Sequence, residues 1–393
     1  MRIAALMTIL LLSCLAVGKL GVAGAPTAGI GNAPIQPDDS PPELPVETLA
    51  IRCAIAPQQD EGVIESLAFS PDGKTLVAGN MHGVLKWFDP ATGGRRASRR
   101  IMPRLLGGCD TLAYAPDGQS IVAMTAQNEV SLLDAATGRP RLVLEKSLST
   151  KFDAPSSMAY SPDGKIVAVG SMFSGEITLW DTGTGRRLAV LPAYLIPERH
   201  TGGPYRKVVL AQTATVTTLA FSPDGRSLIS DCGYVRTWDV AKGEELGRLN
   251  GTFRSNGYRL ALSPDGNTLA LGNTFFDDDQ GRMAGEIALW DRPTGQKRVQ
   301  LPTRGEVADF AFLPDGKTLV SLEDQRIVRL WDVATAKQRA AVRFDHHNRL
   351  SRLAVSPDGK RIAAAGCGSA EIFGIIQLLD TDGTTLQPWK PEP

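Results

Sequence analysis

The chain has 393 residues, 42% hydrophobic and 21% charged, which is ample for a buried core. Its 42 basic and 42 acidic residues cancel, so no whole-molecule field draws it to nucleic acid or an anionic surface, and any partner must be chosen by local patches. With four histidines and no G-x-S-x-G, H-E-x-x-H or phosphate-loop string, the sequence offers little material for hydrolase, zinc-peptidase or nucleotide chemistry.

At the N-terminus, Arg2 precedes an apolar run from Ile3 to Val17 and then small residues, the layout of a secretory signal. Gly18 and Lys19 end the run short of the roughly 18 to 20 residues a membrane-spanning helix needs. Two processing routes are open. Leu11 to Cys14 ("LLSC") resembles a bacterial lipobox, which makes Cys14 the lipidated residue, while Val22-Ala23-Gly24 offers an ordinary small-residue cleavage site. The expected organisation is therefore a signal over residues 1–24, a Pro-rich extended linker over 25–47, and a folded domain over 48–393. The expected location is exported, in the periplasm, the cell envelope or the medium, with membrane contact only through an N-terminal lipid.

Beyond the linker, one pattern returns seven times. "SLAFSPDGKTLVAGN" at 66 is echoed at 111, 157, 218, 259, 309 and 352, with the Asp of Pro-Asp-Gly at 72, 117, 163, 224, 265, 315 and 358. Each copy is followed by an alternating run that ends in aspartate, such as "VLKWFDPATG", "ITLWDTGTG" and "VRLWDVATA". The period of 41 to 61 residues, with short Val-, Leu-, Ile- and Thr-rich runs between Gly, Pro and Asp, predicts strands rather than helices. A four-stranded unit cannot bury both its faces alone, and radial stacking solves this. The predicted fold is all-β, a seven-bladed propeller of four-stranded antiparallel blades.

These blocks resemble the WD-repeat propeller family over roughly residues 48 to 386, most closely at Leu179-Trp180-Asp181, Leu289-Trp290-Asp291, Leu330-Trp331-Asp332 and Thr237-Trp238-Asp239. The resemblance implies an innermost strand a ("SLAF"), then b, c and an outer strand d, with the ring closed by a strand from the opposite terminus. Residues 48–55 are the first candidate for that closing strand, and 384–389 compete. The family's Gly-His pair and turn aspartate, which bond to the Trp, are largely missing. Only His346 falls at the histidine position, and the turn position holds His82, Gln127, Ser174, Cys232, Ala284, Gln325 and Phe373. Stability is thus expected from apolar packing without that polar network, and the "SPDGK" style resembles exported bacterial propellers.

In such a ring the d-to-a and b-to-c loops open on one face, here called the top. Three long connections fall there: 191–214, 273–285 and 366–374. The first carries Arg199, His200, Tyr205, Arg206 and Lys207; the second carries Phe275, Phe276, Asp277, Asp278, Asp279 and Arg282. Together they form a candidate partner-binding rim with a basic and an acidic, aromatic lip. The three aspartates do not follow the D-x-D-x-D-G spacing of a calcium loop. No metal, cofactor or catalytic set is expected, nor a nucleic-acid surface, since basic residues are not interleaved with aromatics. The Arg95-Arg96 and Arg99-Arg100 run reads as a solvated outer edge that discourages strand addition. The function expected is a monomeric, non-enzymatic scaffold that binds a protein or peptide at its top face. The alternative is an exported propeller enzyme or small-molecule binder using the central channel, since "LLDAATGRPRL" resembles the D-x-x-T-G segments of quinoprotein propellers, although the Trp that normally follows is missing.

Overall fold

In the computed structural model, the described residues are 47–48, 62–101, 111–124, 130–144, 155–172, 174–192, 215–249, 259–277, 281–303, 305–344, 348–368 and 374–388. They form seven sheets, each built on four consecutive antiparallel strands, and no helix, a seven-bladed β-propeller as the repeat predicts. Blade 1 shows the unit: strand a Ile64–Phe69, b Leu76–Asn80, c Val84–Phe88 and d Arg95–Arg100. Strands b and c are buried along nearly their whole length, because neighbouring blades cover both their faces. Strand d is exposed, as befits an outer wall.

The innermost strands carry alanine three residues before each turn proline: Ala68, Ala113, Ala159, Ala220, Ala261, Ala311 and Ala354, all half-buried. Each of these alanines packs in the apolar cluster between its own blade and the next. The preceding residue on each strand is large (Leu67, Leu112, Met158, Leu219, Leu260, Phe310 and Leu353) and packs in the cluster shared with the blade before.

Each Ser-Pro-Asp-Gly turn is a closed local circuit. Ser70 Oγ donates to Asp72 Oδ1 at 2.6 Å, Lys74 N donates to the same oxygen at 3.0 Å, and Thr75 N donates back to Ser70 Oγ at 2.9 Å. Gly73, at φ 70°, supplies the left-handed residue. The serine's bond, followed by Lys74 N, holds the Asp72 carboxyl below the usual carboxylate range. The turns also touch one another. A methyl added to Gly118 would lie 3.5 Å from Pro71 Cδ, one on Gly164 3.4 Å from Pro116, and one on Gly225 3.5 Å from Pro162. The series continues through Gly266 and Pro223, Gly316 and Pro264, and Gly359 and Pro314, and returns from Gly73 to Pro357. Pro-Asp-Gly is therefore both hairpin turn and inter-blade contact.

Two expectations change. The closing strand is Leu386–Pro388, which pairs antiparallel with strand c of blade 7, Gly374–Thr381. Pro388 is tolerated because it sits at the end of an outer edge strand. The upstream segment instead places Glu47–Thr48 parallel to strand d of blade 6, Gln338–Arg343, as a fifth strand. Second, a polar network does support some Trp residues. Trp331 Nε1 donates to Ser321 Oγ at 2.8 Å, which donates to Glu323 Oε1 at 2.7 Å, while Arg329 Nε donates to Glu323 Oε2 at 3.1 Å. In blade 4, Trp238 Nε1 donates to Ser230 Oγ at 2.9 Å. The turn aspartate is replaced in blade 6 by a carboxylate at the end of strand b, with an arginine from strand c.

Candidate functional site

The segment 273–285, expected as a loop, is mostly a β-ribbon. In blade 5, strands b (Thr268–Asp277) and c (Arg282–Asp291) run for ten residues each and stay paired up to Asp277 opposite Arg282. Its alternation was masked by two adjacent phenylalanines and an acidic run, which do not look like a half-buried strand. The ribbon stands on blade 6. Thr274 Oγ1 donates to Val307 O at 3.1 Å, and Thr303 Oγ1 donates to Gly285 O at 2.7 Å. Glycines at 272 and 285 permit the approach, since an added methyl would come within 2.2 Å of the Phe310 ring and 2.6 Å of Val307 N.

Phe275 is 41% exposed and Met283 45% exposed on this ribbon. Phe276, Asp277 and Arg282 are placed on its strands, Phe276 directly opposite Met283. Arg199, His200, Tyr205, Arg206, Lys207, Asp278, Asp279 and Cys14 lie outside the described residues, so the basic lip is not seen beside the ribbon. Sequence reading missed three exposed apolar side chains on the same face: Met283, Tyr234 in the b-to-c turn of blade 4, and Met81 in that of blade 1. Their positions between the end of strand b and the start of strand c, or on the extended b-to-c ribbon, were the available signal. Large, exposed, low-charge side chains of this kind are the anchors of protein interfaces.

The channel mouth is polar. Arg259, on strand a of blade 5 (Arg259–Leu262), contacts Asp309 on strand a of blade 6 (Val307–Phe312) at 3.1 Å. Asp309 Oδ2 also accepts from Leu353 N at 2.8 Å, and Arg352 Nε donates to Glu65 O at 2.5 Å, tying blade 7 to blade 1. A cavity of about 260 Å³ opens here, with Glu306, Gln325 and Ser351 among its walls. Three charges at one register position of successive blades went unnoticed because they lie about 45 residues apart. Among the described residues no group of His, Cys, Asp or Glu has metal-binding geometry, and no helix is long and apolar enough to cross a membrane.

The D-x-x-T-G segments have a structural explanation. In blade 3, Thr184 Oγ1 and Thr184 N both donate to Asp181 Oδ1 at 2.7 Å, and Gly185 N donates to Asp181 O at 2.8 Å. The same circuit recurs at Asp134 and Thr137, Asp291 and Thr294, and Asp332 and Thr335. These residues satisfy one another and close the c-to-d turn. Of the cysteines, Cys232 and Cys367 are free thiols; burial, aided by Asp231, pushes Cys232 up to about 11, away from nucleophilic use.

Three segments, residues 55–89, 144–181 and 204–239, match the family model described as "WD domain, G-beta repeat". The chain is 26% identical over 227 residues to "Periodic tryptophan protein 2" of Arabidopsis thaliana, covering 57% of this chain and 22% of that protein. It is 29% identical over 171 residues to "WD repeat-containing protein SL1-17" of Schistosoma mansoni, covering 42% and 47%. It is 34% identical over 110 residues to "Apoptotic protease-activating factor 1" of Homo sapiens, covering 27% and 8%. The chain thus spans less than half the length of each of these relatives. These matches support the WD40 repeat family for the blades. The relatives are eukaryotic and do not bear on the exported, bacterial type expected from the N-terminus.

Proposed function

We propose that this chain, a propeller of which three segments match the WD model, is a non-enzymatic interaction scaffold that holds a protein or peptide partner against its top face. The observation that carries this reading is the blade 5 ribbon. It is ten paired residues long, held by one side-chain hydrogen bond to blade 6 and one from the connection that leads into that blade, and it bears exposed Phe275 and Met283. A rigid ribbon presents such anchors at little entropic cost on binding. The loop at 199–207 is assigned to the same rim on its sequence alone. Export to the cell envelope belongs to this reading, supported by Arg2 and the apolar run to Val17, with Cys14 as the lipidated residue in one of the two processing routes.

The test is affinity purification of the tagged full chain from its own cells, beside Phe275→Ser/Met283→Ser and Arg206→Glu/Lys207→Glu variants. Loss of the same specific partners from both variants is the expected result. An unchanged partner set in folded variants removes the rim. Mass spectrometry of the recovered N-terminus decides between lipidated Cys14 and ordinary cleavage.

A second reading has its own support. The charged mouth formed by Arg259, Asp309 and Arg352 over a cavity suits a small polar ligand in the channel. Arg259→Ala/Arg352→Ala would then abolish ligand-induced thermal stabilisation while leaving partner recovery unchanged.

A further inference from the structure

The charges of this neutral chain are distributed very unevenly around the outer wall. Strand d of blade 1 reads Arg-Arg-Ala-Ser-Arg-Arg over residues 95–100 and holds no acid. The corresponding stretch of blade 2 adds Arg139 and Arg141, and that of blade 3 adds Arg186 and Arg187, again without an acid. Blade 4 reverses the sign with Glu244, Glu245 and a single Arg248. Blades 1 to 3 are neighbours in the ring, so three successive outer strands carry basic and no acidic residues. Arg96 is paired with Asp89 at 2.6 Å, and Arg100 donates to His82 O at 2.6 Å. Arg96 also donates to Thr75 Oγ1 at 3.0 Å, and each guanidinium carries five donors, more than these contacts use.

Strand d of blade 1 is also an open ladder edge: strand c pairs with one side, and among the described residues no strand pairs with the other. What such an edge can accept is shown on blade 6. There an extended stretch of this chain, with Glu47 opposite Val342 and Thr48 opposite Arg343, lies parallel to strand d. An acid-bearing segment thus already adds to an arginine-bearing outer edge of this propeller.

We propose that strand d of blade 1 is a second docking surface, separate from the top face, which takes an extended acidic polypeptide as a fifth strand. The pairing with strand c places Arg95 and Arg100 on one face and Arg99 on the other, with Arg96 the extra residue of a bulge and Ala97 and Ser98 small between the arginine pairs. The complementary segment has two acids, two small or apolar residues, then two acids. Exposed arginines repel a like-charged edge and so prevent indiscriminate pairing between copies, yet they attract an acidic strand. The wall curves across three blades, and a flexible chain follows a curved surface where a flat bilayer or a stiff duplex meets only part of it. Arg139 and Arg141 on the next blade extend the field that steers the acidic segment in.

The test uses the full chain and a fluorescent probe peptide, Glu-Glu-Val-Val-Glu-Glu with short neutral flanks, followed by anisotropy. The expected result is saturable binding that weakens about tenfold or more between roughly 50 mM and 300 mM salt. It should fall at least tenfold in Arg99→Glu/Arg100→Glu, and persist in Arg99→Lys/Arg100→Lys. A probe N-methylated at alternate amides should bind at least tenfold more weakly, because it cannot complete the ladder; this arm needs no variant of the protein. Equal binding of the methylated probe, or undiminished binding by a folded charge-reversal variant, overturns the proposal. So does absence of peptide binding alongside reversal-sensitive binding of phosphatidylglycerol vesicles or duplex DNA.

Discussion

Gly73 of the first turn and Pro357 of the last are neighbours: a methyl on Gly73 would sit 3.6 Å from Pro357 Cδ, and this contact completes a ring of seven. The turn that punctuates each blade in the sequence is in space the place where one blade grips the next.

The ring is not equally tolerant around its circumference. Alanine at any of these glycines forces a left-handed L residue and costs about 1 to 2 kcal/mol. At Gly266 the new methyl would also lie 2.8 Å from Pro223 Cδ, against 3.5 Å at the Gly118 and Pro71 contact. Gly266→Ala is expected to lower the thermal midpoint clearly more than Gly118→Ala, by about a further 1 kcal/mol of overpacking. Differential scanning calorimetry of the two variants side by side makes the comparison.

Ala336 provides the reciprocal case. It occupies the c-to-d position held by Gly185 and Gly295 in blades 3 and 5, yet it is an alanine at φ 57°. Ala336→Gly is expected to stabilise the chain slightly, by about 0.5 to 1 kcal/mol from relief of strain less the added freedom of the unfolded chain. A midpoint in chemical denaturation no higher than that of the unchanged protein contradicts this.

The chain Trp331, Ser321, Glu323 and Arg329 is buried, with the ion pair only 6% and 1% exposed. Arg329→Met leaves a carboxylate in the core and is expected to cost about 3 to 5 kcal/mol. Adding Glu323→Leu should recover a large part of the loss, since an apolar pair needs no compensating charge. A double-mutant cycle in denaturant measures the coupling, and simple additivity would show that the two side chains do not depend on each other.

Tyr114 and Tyr160 report on alkaline stability. Burial first, with Asp72 adding to it at Tyr114 and Asp117 at Tyr160, pushes each phenol up to about 12 from an ordinary 10. The folded state therefore holds these protons more tightly than the unfolded one. The stability so contributed is complete below pH 10 and is lost as pH rises through about 12. Phenolate absorbance should show two tyrosines titrating late, and Tyr114→Phe/Tyr160→Phe should flatten the fall of the thermal midpoint above pH 10.

Leu386 fixes the last strand. It is buried in a cluster with Leu313, Val320, Leu330 and Leu379, and the nearby Gly383 O accepts from Arg339 Nη1 at 3.0 Å. Leu386→Ala is expected to cost about 2 to 4 kcal/mol, and a chain ending before Thr384 to lose protection of blade 7 in hydrogen exchange ahead of the other blades.

What the sequence disclosed and concealed follows from range. Seven hairpin turns are local, so Pro-Asp-Gly and the aspartate of each c-to-d turn are legible from neighbouring residues alone. The contact of Gly118 with Pro71, the pairing of Arg259 with Asp309 and the support of Thr274 by Val307 join residues 33 to 50 positions apart, and no short string announces them. The Glu323 and Arg329 pair was missed for another reason. The polar network was sought at the turn position of a resemblance, where Gln325 stands, while blade 6 builds it from a strand end two residues earlier. The closing strand stayed open between the termini because Pro388 limited the C-terminal candidate to a short edge strand, and three residues at an outer edge suffice.

Among the described residues each blade has its own four consecutive strands, and none has its four strands drawn from both termini. Tension applied between the two ends would therefore meet two small zippers rather than one shared bolt. At one end the two-residue pairing of Glu47–Thr48 peels from blade 6; at the other, Leu386–Pro388 unzips rung by rung from blade 7. The molecule carries a mechanical fuse at each end, and both give way before the force reaches the seam where Arg352 meets Glu65.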